Sequence, residues 1–313
     1  MQFRRTIFAM DYAEARVAFF QPRSADAPPP RIDHWAGTPA RQLRDAIEPI
    51  ATICFWSEPA YKAYEHRGLD FLQGYVWGRS CVLGEPEGAV AAAAFGGFEP
   101  GLIAALYDAG RAVCTLADMR SAKESGAVTA LQEVLGDPAA VDDVVAVLRR
   151  GIGAIHTTSG RAMSAGLLSL DWPDDGWGRL WHACSILREY RGDGHIAAYV
   201  AYGLDGLEAN LVTELQVGWD ATTYAGSRGW SAEAMAAATD RLRARGLVDG
   251  NDLSENGRTM RDRIESITDS LMQPVVDALG DDLPGLLDTL NDWSRQIIDH
   301  GWFPPDPYKR ASG

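Results

Sequence analysis

The chain has 313 residues, 46% of them hydrophobic, and carries 43 Asp and Glu against 29 Lys and Arg for a net charge of −14. That apolar content excludes a disordered chain, and the length suits two domains or one large duplicated unit. The acidity raises the cost of approaching DNA, RNA or an anionic membrane, although it leaves room for a local basic patch.

The N-terminal segment does not read as a targeting signal. Asp11, Glu14 and Arg16 interrupt what would have to be its apolar region. A short docking helix is expected within 11–20. Ser24 to Pro30 ends in three prolines and should be extended. From Pro39 a helix is expected, capped by Thr38 and ending before Pro49. The apolar run Ile50 to Trp56 follows, then a helix from about Pro59 to His66. Gly68-Leu69-Asp70 opens the next element. Gly88 to Phe98 is the longest uncharged small-apolar run, far short of a membrane span. Phe95 to Pro100 is a break, and the helix after it places Leu102, Ile103, Leu106 and Tyr107 on one face. Cys54, Cys81, Cys114 and Cys184 form no C-x-x-C pair, and all but Cys81 stand in clearly apolar helical contexts that read as reduced, buried thiols, which points to a cytoplasmic protein.

The second half repeats this order. Gly203-Leu204-Asp205 lies 135 residues after Gly68-Leu69-Asp70, and Gly229-Trp230-Ser231 lies 132 after Gly97-Phe98-Glu99. The agreement indicates an internal duplication. It sets Glu58 opposite Asp193. Ser231 to Gly246 reads as a capped helix, and Leu247-Val248 and Leu253 flank Asp249-Gly250-Asn251-Asp252 as a short hairpin. A long helix follows from about Ser254 to Leu271. Helix, acidic hairpin, then Leu-Ser-x-x-Gly-Arg resembles the winged helix of MarR-type regulators. The first turn of the would-be recognition helix, however, is Ala232-Glu233-Ala234-Met235, and the wing carries Asp249 and Asp252. Base and phosphate contacts want Arg, Lys, Asn or Gln there, so DNA is not the expected partner.

Taken together, Leu187-Arg188-Glu189-Tyr190-Arg191-Gly192-Asp193-Gly194-His195, the Gly-Trp-Ser helix start and Arg245-Gly246-Leu247-Val248 resemble an actinobacterial family of tandem helix-turn-helix proteins, most without assigned function. The similarity runs from about Arg41 to Gly301 and is strongest over Trp181–His195. Members resembling this chain carry a histidine where it has Ala51. The resemblance implies a duplicated fold and no particular activity. The expected architecture is mainly α, with two winged-helix-like repeats and small β wings. An extended appendage covers 1–40, the first repeat 41–150, a crossing segment 151–178, the second repeat 179–301 and a tail 302–313.

The nine residues Leu187–His195 hold five ionisable side chains and two glycines, at what reads as a helix–helix junction. Gly192-Asp193-Gly194 is expected to break the chain, with Asp193 capping a new helix and His195 in its first turn. The positive helix end would keep that imidazole neutral. Asp193 and Glu189 would orient His195 as a base or hydrogen-bond partner, and Glu58 would bring a second carboxylate across the pseudo-two-fold axis. His182, Arg191, Tyr199, Trp56, Trp181 and Tyr75 are the expected ligand-binding residues. A structural corner, with Asp193 only a cap and His182 an ordinary buried histidine, is the plainer alternative. No metal is expected, since neither H-x-x-x-H nor E-x-x-H spacing occurs, and there is no phosphate or dinucleotide fingerprint to hold a cofactor. The aromatic content points to a protein of specialised metabolism that binds a small aromatic or polycyclic metabolite between the repeats. Such a protein would sequester the metabolite or transform it by acid–base chemistry. A ligand-responsive MarR-like regulator and an acidic interaction protein are the alternatives. A membrane is not expected as a partner, and a homodimer is allowed.

Overall fold

The computed structural model describes residues 11–20, 36–136, 140–219 and 222–304. The expected extended stretch at 24–30 and the end of the tail lie outside those residues. Helix α1 (Tyr12–Phe19) starts in a capping box in which Asp11 and Glu14 satisfy each other's backbone N–H. Helix α2 (Pro39–Trp56) has Thr38 as its cap but runs straight through Pro49. The expected stop there is corrected: Pro49 costs one helical hydrogen bond, while Leu43, Ile47, Ile50 and Ile53 are buried along the helix and hold it together. Ser57 then caps α3 (Glu58–Glu65).

The two Gly-Leu-Asp sequences make the same cap. Asp70 closes a capping box with Gln73 at the start of α4 (Phe71–Ser80). Asp205 closes the same box with Glu208 at the start of the second-half counterpart, Gly206–Val217. After α4 come α5 (Gly88–Phe95), α6 (Pro100–Val113) and α7 (Leu116–Leu135). Next are α8 (Val141–Gly153) and α9 (Ala162–Leu168). Helix α10 covers Gly176–Ala201, and α11 is the Gly206–Val217 helix. The short α12 (Thr223–Gly226) precedes α13 (Ala232–Ala244), which is capped by Ser231. The wing follows: β1 (Val248–Asp249) pairs antiparallel with β2 (Asp252–Leu253), and Gly250 turns between them at φ +57°. Helices α14 (Glu255–Ser270), α15 (Gln273–Leu279) and α16 (Leu283–Ile297) complete the chain. In the first half, Cys114 and Thr115 alone link α6 to α7, so the hairpin is confined to the second half among the described residues.

Helix α10 is the spine. Its 26 residues extend about 39 Å. From Trp177 to Tyr190 it is buried in a core that also takes in α2, α7, α8 and α16. At Ala198 and Tyr199 it enters a second core, built from α11, α13, the wing and α14. It is therefore buried on nearly every side, and the two glycines do not interrupt it. The expected break at Gly192-Asp193-Gly194 is a correction. In the first half the equivalent place, Trp56-Ser57-Glu58, does break, because Ser57 there supplies a side-chain cap. Gly192 has no side chain to cap with, and packing carries the helix on.

The halves meet through glycines. A Cβ on Gly206 would lie 2.1 Å from the Gly96 carbonyl oxygen, and one on Gly229 would lie 2.3 Å from Leu102. Asn210 and Trp230 both donate to the Gly97 carbonyl, at 2.6 and 2.9 Å, and the Glu99 amide donates to the Arg228 carbonyl at 3.0 Å. The elbow between α5 and α6 is thus clamped onto the second half. All four cysteines are free and buried. No helix among the described residues is long and apolar enough to cross a membrane.

Candidate functional site

Between that elbow and the C-terminal half of α10 lies a cavity of about 150 Å³. Helix α10 contributes Arg188, Glu189, Arg191, Gly192, His195, Ile196 and Tyr199. Tyr75, Arg79, Phe95 and Phe98 come from the first half, and Asn210, Thr213, Tyr224 and Arg228 from the second. Tyr75 stacks edge-on against Phe55 and Phe95, and Phe95 against Phe98, which fixes an aromatic wall.

The opposite wall is a buried ion-pair network. Glu189 accepts from Arg79 and Arg188. Burial alone would raise its carboxyl pKa, but the two guanidiniums outweigh that and hold it at about 2. Arg188 also reaches Glu48 at 2.9 Å. Arg191, Arg41 and Arg261 converge on Glu265, and Arg191 pairs in addition with Asp269 at 2.9 Å. Despite burial, those three arginines hold Glu265 well below the usual carboxylate range. Arg191 Nε, buried in the wall, has no hydrogen-bond partner among the described residues.

His195 is neutral, as expected, but for a different reason. It sits in the last third of α10, far from the N-terminus of that helix. Burial, reinforced by Arg261, lowers its pKa to about 3. Its Nδ1 is 3.1 Å from Thr268 Oγ1, whose hydroxyl already donates to the Ile264 carbonyl. Thr268 must therefore accept from Nδ1–H, which leaves the Nε2 lone pair as an acceptor. So weak a base suits a hydrogen bond to a ligand hydroxyl or N–H better than proton abstraction at neutral pH.

Of the residues expected in the site, His195, Glu189, Arg191, Tyr199 and Tyr75 do line this cavity. Asp193 does not. It accepts from the Ser164 amide at 2.9 Å, in the first turn of α9. It caps a helix after all, but one brought to it by folding. Nor does Glu189 orient His195, being engaged with Arg79 and Arg188. Glu58 lies away from the cavity, paired with Lys62 at 2.8 Å and about half-exposed. Trp56 packs against Phe20, its carbonyl accepting from Tyr12. His182 and Trp181 line a different cavity. His182 is 13 residues from His195 on one unbroken helix, roughly 20 Å along its axis, so the two cannot share a small ligand. Sequence reading missed Arg79, Asn210, Tyr224 and Arg228, which stand in no motif. Among the described residues no cluster of His, Cys, Asp and Glu could hold a metal ion.

Burial pushes the Asp193 carboxyl up to about 6, against the Ser164 hydrogen bond that lowers it. Between its unfolded value near 4 and about 6, the folded chain binds this proton more tightly. The contribution of Asp193 to stability therefore falls as pH rises through that window. Asp193→Asn keeps an acceptor for Ser164 and removes the buried charge. It is expected to melt at or above the parent at pH 7, by up to about 3 kcal/mol, with the difference shrinking toward pH 4. Thermal melts of both proteins across that range check this. Glu214, raised to about 7 by burial, titrates alike in both proteins and cancels.

Residues 40–304 match the family model described as a helix-turn-helix family. No curated protein and no solved structure matches the chain.

Proposed function

The chain belongs to that helix-turn-helix family, and on this premise we propose that it binds an aromatic, anionic small metabolite in the cavity between its two repeats. Arg228 carries the reading. It is held face-on between Tyr224 and Phe98, 4.1 and 4.7 Å from the ring centroids. Among the described residues no carboxylate lies within ion-pairing distance of it, whereas Arg44, Arg79, Arg188 and Arg191 are all paired. A cation already paid for by stacking, beside aromatic walls, suits a flat ligand with a carboxylate. His195 Nε2 adds an acceptor for a hydroxyl or N–H on the same ligand. The cavity supports binding more than proton transfer, because His195 is a poor base and Asp193 faces elsewhere.

With 2-naphthoate as probe and 2-naphthylmethanol as its neutral counterpart, calorimetric titration should favour the acid. Arg228→Gln should weaken the acid at least tenfold, about 1.4 kcal/mol, and leave the alcohol unchanged. Equal losses for both probes would argue against the anionic assignment.

Family membership favours one second reading, a ligand-responsive DNA-binding regulator. The side chains do not help it. Arg241 is paired with Asp205 and Glu208, Arg243 with Asp240, and Arg245 donates to the carbonyls of Tyr202 and Gly203. Exposed Glu233 stands in the first turn of α13, where a base-reading cation would be needed. A gel shift with the protein's own promoter region at low salt, relieved by the ligand, would restore the regulator reading.

A further inference from the structure

A second cavity, of about 190 Å³, lies beside the N-terminal half of α10. Its inner wall holds two groups that the fold leaves unfinished. Lys123 of α7 is 5% exposed, and among the described residues its ammonium has neither an ion pair nor a hydrogen bond. The rings of Phe55 and Trp181, each 5.4 Å from Nζ, stabilise it, and the charge of Glu189 across the narrow gap acts on it at longer range. His182 of α10 is 2% exposed, and among the described residues its Nε2 has no partner. Burial and the nearby Lys123 charge keep that imidazole neutral, with a pKa of about 4. A buried ammonium and a buried ring nitrogen each cost stability until something pairs with them.

The rest of the lining is apolar or peripheral. Val82, Leu167 and Pro173 are buried apolar walls. Arg120 is engaged with the Cys81 carbonyl at 3.1 Å. Cys81 is protonated, its pKa raised by burial, and donates to the Gly78 carbonyl. Two carboxylates also line the cavity: Asp171 is exposed and screened by water, and half-buried Glu124, its pKa raised by burial and by Asp174 and Asp175, makes no ion pair with Lys123 among the described residues. A narrow gap of about 10 Å³, walled by Ala51, Lys123, Ser185 and Glu189, lies between this cavity and the one at His195.

We propose that this second cavity is a binding site for a small aliphatic carboxylic acid, with its carboxylate against Lys123 and His182 and its hydrocarbon body against Val82, Leu167 and Pro173. The acid supplies the close counter-charge that Lys123 lacks and an acceptor for an Nε2–H of His182, while its chain displaces water from an apolar wall. The site stands apart from the aromatic one, and its occupancy does not depend on what binds beside Arg228.

Isovalerate is the probe, with 3-methylbutan-1-ol as the uncharged control, in calorimetric titrations of the full chain. Isovalerate should bind and the alcohol should bind at least tenfold more weakly. Lys123→Met should weaken isovalerate at least tenfold, and Arg228→Gln should leave it unchanged. Because Lys123→Met could disturb the packing of Trp181, Leu170→Trp gives a second test. It fills the half-buried mouth without touching either polar group, and should block isovalerate in a protein that still melts like the parent. The proposal is overturned if isovalerate does not bind up to about 10 mM, if acid and alcohol bind equally, or if both variants bind like the parent. Loss of isovalerate binding in Arg228→Gln alone would also overturn it, by placing the acid in the other cavity.

Discussion

Glu265→Gln should destabilise the fold by about 3–5 kcal/mol, the largest effect expected of any single isosteric change in this chain. Glu265 is 2% exposed and its two oxygens receive Arg41 of α2, Arg191 of α10 and Arg261 of its own helix. Gln keeps the shape but turns an amide toward at least one guanidinium, takes from Arg261 the carboxylate it pairs with, and leaves Asp45 beside Arg41 and Asp269 beside Arg191 as the remaining counter-charges for three buried cations. The expected result is a broad drop in melting temperature and loss of the pocket wall that Arg191 forms. Denaturant unfolding measures it, and a change within about 1 kcal/mol of the parent would show that the network is solvated and contributes little. The same carboxylates set the acid limit. Glu189 has a folded pKa of about 2, below its unfolded value, so its contribution is complete above about pH 4.5 and is lost as pH falls toward 2. That slope is opposite in sign to the one from Asp193.

Gly192→Phe should do the reverse: spare the fold and abolish binding. A Cβ at Gly192 meets only Glu189 Oε2, at 3.7 Å, and otherwise faces the cavity. Replacing a mid-helix glycine removes a helix penalty of roughly 0.5–1 kcal/mol, so the variant should melt at or above the parent. Its ring occupies the ligand's volume, and affinity for 2-naphthoate should fall by about a hundredfold or more, some 2.7 kcal/mol. Gly192→Ala, with little added volume, should bind within a few-fold of the parent. The neighbouring Gly194 offers no such choice, since its Cβ would lie 2.9 Å from Arg161 Nη1. Unimpaired binding in Gly192→Phe would place the ligand elsewhere on the protein.

Much of the fold was legible because it rests on local chemistry. The paired Gly-Leu-Asp starts are capping boxes, and the Asp-Gly-Asn-Asp hairpin needs Gly250 at positive φ; both work within a few residues. What failed were inferences that tertiary packing overrules. Gly192-Asp193-Gly194 looks like a stop, yet Glu189, Tyr190, Arg191 and Asp193 are all buried around it, and that burial outweighs two glycine penalties. Once α10 is continuous, the other site errors follow. His182 moves a long way from His195, Asp193 turns to α9, and the symmetry that set Glu58 opposite Asp193 no longer places it at the cavity. Tyr75, Tyr199, Arg191 and His195 were found because they stand on the walls of the junction itself. Arg228 could not be, since its importance comes from Phe98 lying 130 residues earlier in the chain. Lys123 was hidden in the same way: nothing near it in sequence announces that its amine is buried without a carboxylate.

The central claim is that the space between the repeats holds an aromatic acid, and a crystal structure of the chain soaked with 2-naphthoate tests it most directly. The expected density is a flat ring system between the Tyr75–Phe98 wall and Tyr199, its carboxylate on Arg228 and its edge toward His195 Nε2. A cavity that stays empty at saturating 2-naphthoate, or the ring system bound only outside it, would contradict the account.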